Sequence, residues 1–199
     1  MTRIDAWEIV KKYVKNENLR RHMLAVEIAM AKYFQYFAKE EGKRKKEEGE
    51  NPGLSEEDWR AVGLLHDFDW EIHPTLEEHP QNGEKILEGF GVSGHLRRAI
   101  LSHAEHTGVP RVTLMEKTLF AVDELTGLIV ATALVKGRKL ENVTVESVLK
   151  KWKQKSFAAG VDREDIERGA ADLGVPLDKH IEIVLSGMKE IAGELGLKN

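Results

Sequence analysis

An all-α fold with one sizeable core is what the sequence predicts, and three observations carry the prediction. Helix-favouring Glu, Lys, Leu and Ala dominate over runs of β-branched residues. Apolar residues recur every three or four positions through long stretches, as Met23, Val26, Met30, Phe34 and Phe37 do. Capping residues such as Asn16, Ser55 and Asp162 stand where those stretches begin. With 199 residues, 41% of them hydrophobic, the chain is long enough to bury a core of its own. The pattern divides it into a principal helical domain over 1–136 and a C-terminal helical extension over 137–199, packed on the same domain.

Asp5 to Val14 reads as a short amphipathic helix with Trp7, Ile9, Val10 and Tyr13 in its apolar set. Asn16 or Asn18 starts the next helix, which runs from Leu19 to about Lys39 and places His22 beside the apolar stripe. The run from Lys39 to Gly53 is charged, punctuated by glycine and proline, and reads as a surface loop or frayed helix end. Ser55 and Asp58 have the spacing of a capping box and open a helix through Trp59 to Leu65. A loop through Trp70, His73 and Pro74 leads to a helix over Leu76 to Leu87, with Pro80 tolerated in its first turn. Glycines 89, 91 and 94 break it, His95 to Ala104 forms the next helix, and Gly108-Val109-Pro110 ends that one. Thr113 to Val135 is strongly apolar, interrupted by Asp123 and Glu124. Three more helices are expected over Thr144 to Lys155, Asp162 to Asp172 and Leu177 to Leu195.

Composition narrows the chemistry. The net charge of -4 supplies no global basic field for a long nucleic acid, so a small anionic ligand is the more natural partner. Without cysteine there is no disulfide, no thiolate ligand and no cysteine nucleophile, and any metal must be held by His, Asp, Glu and water. Met1 to Lys15 has no apolar targeting core, and the reading finds no stretch of the roughly 18 apolar residues that a membrane span requires. A cytoplasmic protein is expected, with no membrane partner.

Six of the eight histidines fall between His66 and His106. His22, the pair His66-Asp67 and Asp123 lie on three different expected helices, and a divalent ion wants imidazole nitrogen and carboxylate oxygen together. Neighbours on an α-helix point about 100° apart, so His66 and Asp67 reach one ion together only at a helix end. The Phe68-Asp69-Trp70 segment and Pro74 mark such an end. Asp123 stands on a face that ought to be core, where an unpaired charge costs several kcal/mol and a bound cation reverses the sign. His79 and His103 add two imidazoles for a second ion, with Asp67 as the shared carboxylate.

Each residue also has an ordinary structural role open to it: a hydrogen-bonded core histidine, a helix-end histidine favoured by the dipole, or a buried ion pair. His106 could reach the second ion or a substrate phosphate, and His73, His95 and His180 read as exposed or structural. Glu71 and Asp69 are the candidate proton carriers or orienting groups. Lys150, Lys151, Lys153 and Lys155, with Arg163, read as a solvated face or as positive charge over the site mouth.

The order H…HD…D resembles the HD superfamily of metal-dependent phosphohydrolases over about Leu19 to Val135. The strings RHMLAVEIAM, LLHDFDWE and FAVDELTGLI carry the likeness, and EEHPQNGEKIL and AILSHAEHTG place His79 and His103 where binuclear members add histidines. The tail KSFAAGVDREDIERGAADLGVPLDKHIEIVL is similar to a subgroup of predicted HD hydrolases. The resemblance implies an HD-type helical bundle binding two divalent ions (Mn, Fe, Mg, Ni or Zn) through His22, His66, Asp67, His79, His103 and Asp123. It implies hydrolysis of a nucleotide or other small phosphate ester, with Asp67 and Glu71 as catalytic residues. Ala104 stands where the cyclic-di-GMP phosphodiesterases carry a second histidine, and Trp70-Glu71 where guanosine tetraphosphate hydrolases have adjacent carboxylates. Two alternatives accompany this expectation: a binuclear iron oxygenase on the same ligand set, and a noncatalytic metal-stabilised module that senses a nucleotide.

Overall fold

The computed structural model describes residues 1–40 and 54–198. Residues 41–53, most of the expected surface loop, lie outside the described residues. The protein is all-α: nine α-helices and no strand among the described residues. They are α1 (Arg3–Tyr13), α2 (Glu17–Lys39), α3 (Glu56–Leu65), α4 (Gln81–Gly89) and α5 (Gly94–Ser102), then α6 (Leu114–Val135), α7 (Val145–Trp152), α8 (Arg163–Asp172) and α9 (Leu177–Glu190).

Local chemistry explains most boundaries. The Asn16 side chain accepts from the N–H groups of Asn18 and Leu19 and starts α2. Ser55 and Asp58 exchange both bonds of a capping box, as do Thr113 and Glu116 at the start of α6. Asp162 caps α8 through the amides of Glu164 and Asp165. Several boundaries depart from the sequence expectation; α7 ends at Trp152, not Lys155, and α9 at Glu190, not Leu195. The fourth helix begins at Gln81, not Leu76: Pro80 is its N-cap, and the residue before a proline is disfavoured in helical geometry. The fifth stops at Ser102, with His103 as its C-cap, and Glu105–Thr107 form a separate 3₁₀ turn.

The longest apolar helix, α6, meets the length and composition of a membrane span, which the sequence reading did not attribute to any stretch. In the fold it is the central element, with α2, α5, α8 and α9 packed on it. Its residues Leu119, Val122, Leu125 and Ile129 are fully buried. Helix α9 lies on α2 as well as α6, so the C-terminal segment shares the core of the first 136 residues. One polar link runs through that junction. His180, fully buried, donates from Nε2 to the Ala121 carbonyl at 2.9 Å and receives the Tyr33 hydroxyl at Nδ1.

One close helix crossing joins α2 to α3, the helix that ends at His66. A Cβ on Gly63 would lie 2.8 Å from the Glu27 Cα and 2.9 Å from its nitrogen, so α2 and α3 pack backbone to backbone there. Gly63→Ala forces the helices apart, and overpacking of this kind is expected to lower stability by about 1 to 3 kcal/mol. A urea midpoint unchanged from the parent chain would contradict that.

Candidate metal centre

Each of the expected ligands is presented by a helix or a helix end. His22 lies in the second turn of α2, and Asp123 lies midway along α6. His66 is the C-cap of α3, still in right-handed helical geometry, and the regular helix gives way to turns from there, where Asp67 follows. His79 stands just before α4, and His103 caps α5.

Their side chains converge. His22 Nε2 is 3.2 Å from His66 Nε2 and 3.0 Å from Asp123 Oδ1, and His66 Nε2 is 3.5 Å from the same oxygen. Asp67 Oδ2 faces this trio, 3.4 Å from His66 and 3.7 Å from His22. Its other oxygen, Oδ1, lies 3.3 Å from His79 Nε2 and 3.7 Å from His103 Nε2, and those two nitrogens are 3.4 Å apart. Asp67 thus presents one oxygen to each pair of imidazoles.

The donor set fits two divalent ions. Ligand atoms of His22, His66 and Asp123 all lie within 4.8 Å of one another, as do those of Asp67, His79 and His103. Nitrogen and oxygen ligands about 2.1 Å from one ion stand roughly 3.0 to 3.4 Å apart, close to the separations here. The imidazoles are pinned with Nε2 inward. The Nδ1–H of His66 donates to Gly63 O at 2.9 Å, that of His103 to Ile100 O at 2.5 Å, and that of His79 to Asp69 Oδ1 at 2.8 Å. His22 Nδ1 lies 3.4 Å from Thr126 Oγ1, whose own hydroxyl donates to the Asp123 carbonyl. This tautomer leaves four Nε2 lone pairs facing the centre, which repel unless a proton or a cation lies between them.

The electrostatics say the same. Burial opposes charge on His66, but Asp67 and Asp123 overcome it and hold the imidazole well above its ordinary value. His79, also opposed by burial, is raised to about 9 by Asp67 and Asp69. Burial works against ionisation of Asp67 and Asp123, yet the facing imidazoles outweigh it and keep both well below the ordinary carboxylate range. Two carboxylates held ionised in a half-buried place favour positive charge opposite them, and divalent ions supply it more completely than protons.

Asp69 acts one layer out. It is fully buried, its Oδ1 holds His79, and its Oδ2 has no hydrogen-bond partner. A Cβ on Gly83 would fall 2.4 Å from that Oδ2, so the glycine makes room for the carboxylate. Asp69→Ala and Gly83→Ala are both expected to weaken divalent-ion binding at the candidate set Asp67, His79 and His103 by about 10- to 100-fold, the usual size for a lost outer partner. Competition titration against a metal chelator reads this directly, and equal weakening of both ions would refute the assignment of Asp69 to one of them.

The other sequence candidates are placed elsewhere. Glu71 is not brought to the site: its carboxylate accepts the backbone N–H groups of Lys15 at 2.8 Å and Asn16 at 2.5 Å, tying the loop after α3 to the start of α2. His106 reaches the cavity wall, and its Nε2 donates to the His79 carbonyl at 2.8 Å. His95 lies at a separate surface hollow, and His73 sits 4.0 Å from Glu78. Arg163 is used within the fold, donating to the carbonyls of Trp152, Val161 and Phe157 around the loop before α8. Lys151 stacks over Phe157 at 4.6 Å, away from the cavity. Sequence reasoning missed Thr126, Phe120 and Asp165. Thr126 follows Asp123 by one helical turn, a spacing that signals it, whereas nothing local marks Asp165.

Above the ligands opens a cavity of about 500 Å³ bordered by Trp70, Phe120, Glu124 and Asp165. Glu124 is pushed up to about 7 by burial and by the neighbouring Asp123 charge. In comparison with known proteins, the chain matches no family model, no curated protein and no solved structure.

Proposed function

We propose that the chain is a binuclear metal-dependent phosphohydrolase acting on a small phosphate ester, in keeping with its resemblance to the HD superfamily. The observation that carries this reading is Asp67, one carboxylate shared between two pairs of inward-facing imidazoles. Divalent ions in such a pair of donor sets supply Lewis-acid polarisation of a phosphoryl oxygen and a nucleophile at neutral pH. His22, His66 and Asp123 would hold one ion and His79 and His103 the other, with Asp67 common to both. Asp69, Thr126 and the carbonyls of Gly63 and Ile100 fix the rings, so the donors need no rearrangement to bind. The cavity has room for the ester beside them. In the net reaction water's oxygen bonds to phosphorus, the bond to the leaving oxygen breaks with its electron pair, and a proton from water passes to that oxygen.

A second reading rests on the four imidazoles in the six-residue donor set, which suit iron as well as manganese, and makes the chain a binuclear iron oxygenase. Elemental analysis of protein purified without chelator, paired with hydrolysis of chromogenic phosphate mono- and diesters under manganese, magnesium and iron, separates the two. The hydrolase reading expects close to two ions per chain and turnover lost on chelation. Two irons with no hydrolysis, and oxygen consumption by anaerobically purified protein, would replace it with the oxygenase.

A further inference from the structure

The cavity walls differ from its floor. Trp70, Leu76 and Phe120 supply aromatic and apolar surface, Glu105, Glu124 and Asp165 supply carboxylates, and among the described residues no lysine or arginine lines it. Two of those carboxylates are already answered. Arg168 lies 2.8 Å from Glu105 and 2.5 Å from Asp165, and Arg111 reaches Glu105 at 3.0 Å. Glu124 differs: among the described residues it has no ion-pair partner, and its Oε2 accepts the Asp162 backbone N–H at 3.2 Å.

Charge decides what such a cavity can take. Two dications offset by Asp67 and Asp123 leave about +2, enough to balance one phosphate dianion. A second or third phosphate would need the arginine or lysine clamps that polyphosphates use and would meet Glu124 instead. Glu124, a half-buried carboxylate in a cavity that Trp70 and Phe120 also line, favours a cation or N–H donor on an apolar body.

Resting on the phosphohydrolase reading, we propose that the cavity selects an ester of a single phosphate whose remainder has an aromatic or apolar body and an amine or other N–H donor for Glu124, and that it rejects di- and triphosphates. Glu124 is then the specificity residue, set by its place on α6 directly after the ligand Asp123 and held by the backbone at the start of α8.

Two aryl phosphates matched in size test this on the metal-loaded full chain: 4-(aminomethyl)phenyl phosphate and 4-carboxyphenyl phosphate, with adenosine mono- and triphosphate as a second pair. The amine ester is expected to exceed the carboxylate ester by about tenfold or more in kcat/KM, as is the monophosphate over the triphosphate, the size of one discriminating contact. Glu124→Gln should bring the aryl ratio to within about twofold, mainly through KM, because only the ground-state contact is removed. Equal kcat/KM for the two aryl esters, or a ratio unchanged in the variant, overturns the selectivity and leaves the hydrolase reading standing. The corresponding non-hydrolysable aryl phosphonates, titrated calorimetrically, read the same preference without turnover. Amine-selective phosphonate binding with no hydrolysis of any ester supports the selectivity and overturns the hydrolase reading, and neither binding nor turnover overturns both.

Discussion

Asp67→Ala is expected, on the proposed binuclear hydrolase reading, to strip both ions and to lower phosphate-ester turnover by about 10³-fold or more, since metal ions contribute several kcal/mol of transition-state stabilisation and each 1.36 kcal/mol is tenfold in rate. The effect exceeds that of any other ligand because the two oxygens of Asp67 face different imidazole pairs, Oδ2 toward His22 and His66 and Oδ1 toward His79 and His103. His79→Ala, by comparison, should lower the count by one ion and leave the His22, His66 and Asp123 trio able to bind. Removing Asp67 also deprives buried His66 of a carboxylate that favours its charge, so thermal unfolding accompanies the metal count to show that the variant is folded. Asp67→Asn, which preserves shape and removes the charge, serves as the second variant. Two ions retained in a folded Asp67→Ala chain would end the shared-carboxylate assignment.

Acid sensitivity centred on His180 is the other large expected effect. Burial pushes this imidazole down to about 4 from an ordinary value of 6.5, against the pull of the Ala121 carbonyl. The neutral ring is the one the fold accommodates, with Nε2–H donating to Ala121 and Nδ1 accepting from Tyr33. Burial pushes Tyr33 up, so its hydroxyl stays protonated as the donor. The unfolded chain therefore binds the proton more readily than the folded one between pH 6.5 and about 4. The stabilisation is fully present above 6.5 and is lost as pH falls through that window, a change of about 3 kcal/mol at 1.36 kcal/mol per unit.

Glu124 has the opposite sign over nearly the same range: raised to about 7, it favours the folded state at acid pH and loses that contribution as pH rises. Being partly exposed it counts for less, but the raw slope mixes the two groups. The decisive quantity is the difference between the parent chain and His180→Gln, whose neutral amide can still donate to Ala121 and accept from Tyr33. Urea unfolding from pH 8 to pH 4.5 should show that difference level down to about pH 6.5 and shrinking toward acid below it. Parallel profiles would mean that His180 is not the titrating group. His79, raised to about 9, loses its contribution between pH 6.5 and about 9, above the His180 window, and it is common to both chains being compared.

Helix identity was legible because it depends on short-range facts. Apolar spacing marked α2, continuous apolar character marked α6, the three-residue spacing of Ser55 and Asp58 marked one cap, and the residue type of Asp162 marked another. The start of α4 was misplaced because the pattern from Leu76 to Leu87 is helical in period, while the His79-Pro80 step imposes a backbone that the period does not encode. The convergence of six candidate residues was legible for a related reason: imidazoles and carboxylates on separate helices and helix ends need a common partner. Asp123 is the clearest, a carboxylate on the most apolar helix of the chain.

Glu71 shows where that logic stops. It follows the candidate pair His66-Asp67 by four residues, yet after α3 the chain turns it away to receive the amides of Lys15 and Asn16. Asp69, two residues earlier, turns inward to His79. Which of two nearby carboxylates meets the site depends on the path of a turn, and that path is set by contacts more than fifty residues away along the chain. Asp165 reaches the cavity because α8 packs on α6, and Gly83 leaves room for Asp69 because α4 crosses beneath it. The sequence by itself determined the all-α class, the helices and the candidate ligand types, since these follow from periodicity, capping and residue chemistry within a few positions. Only the tertiary structure decided that Asp67 faces two imidazole pairs, that Asp69 and not Glu71 supports them, and that Glu124 borders the cavity, because those outcomes depend on how helices cross and not on what any one of them contains.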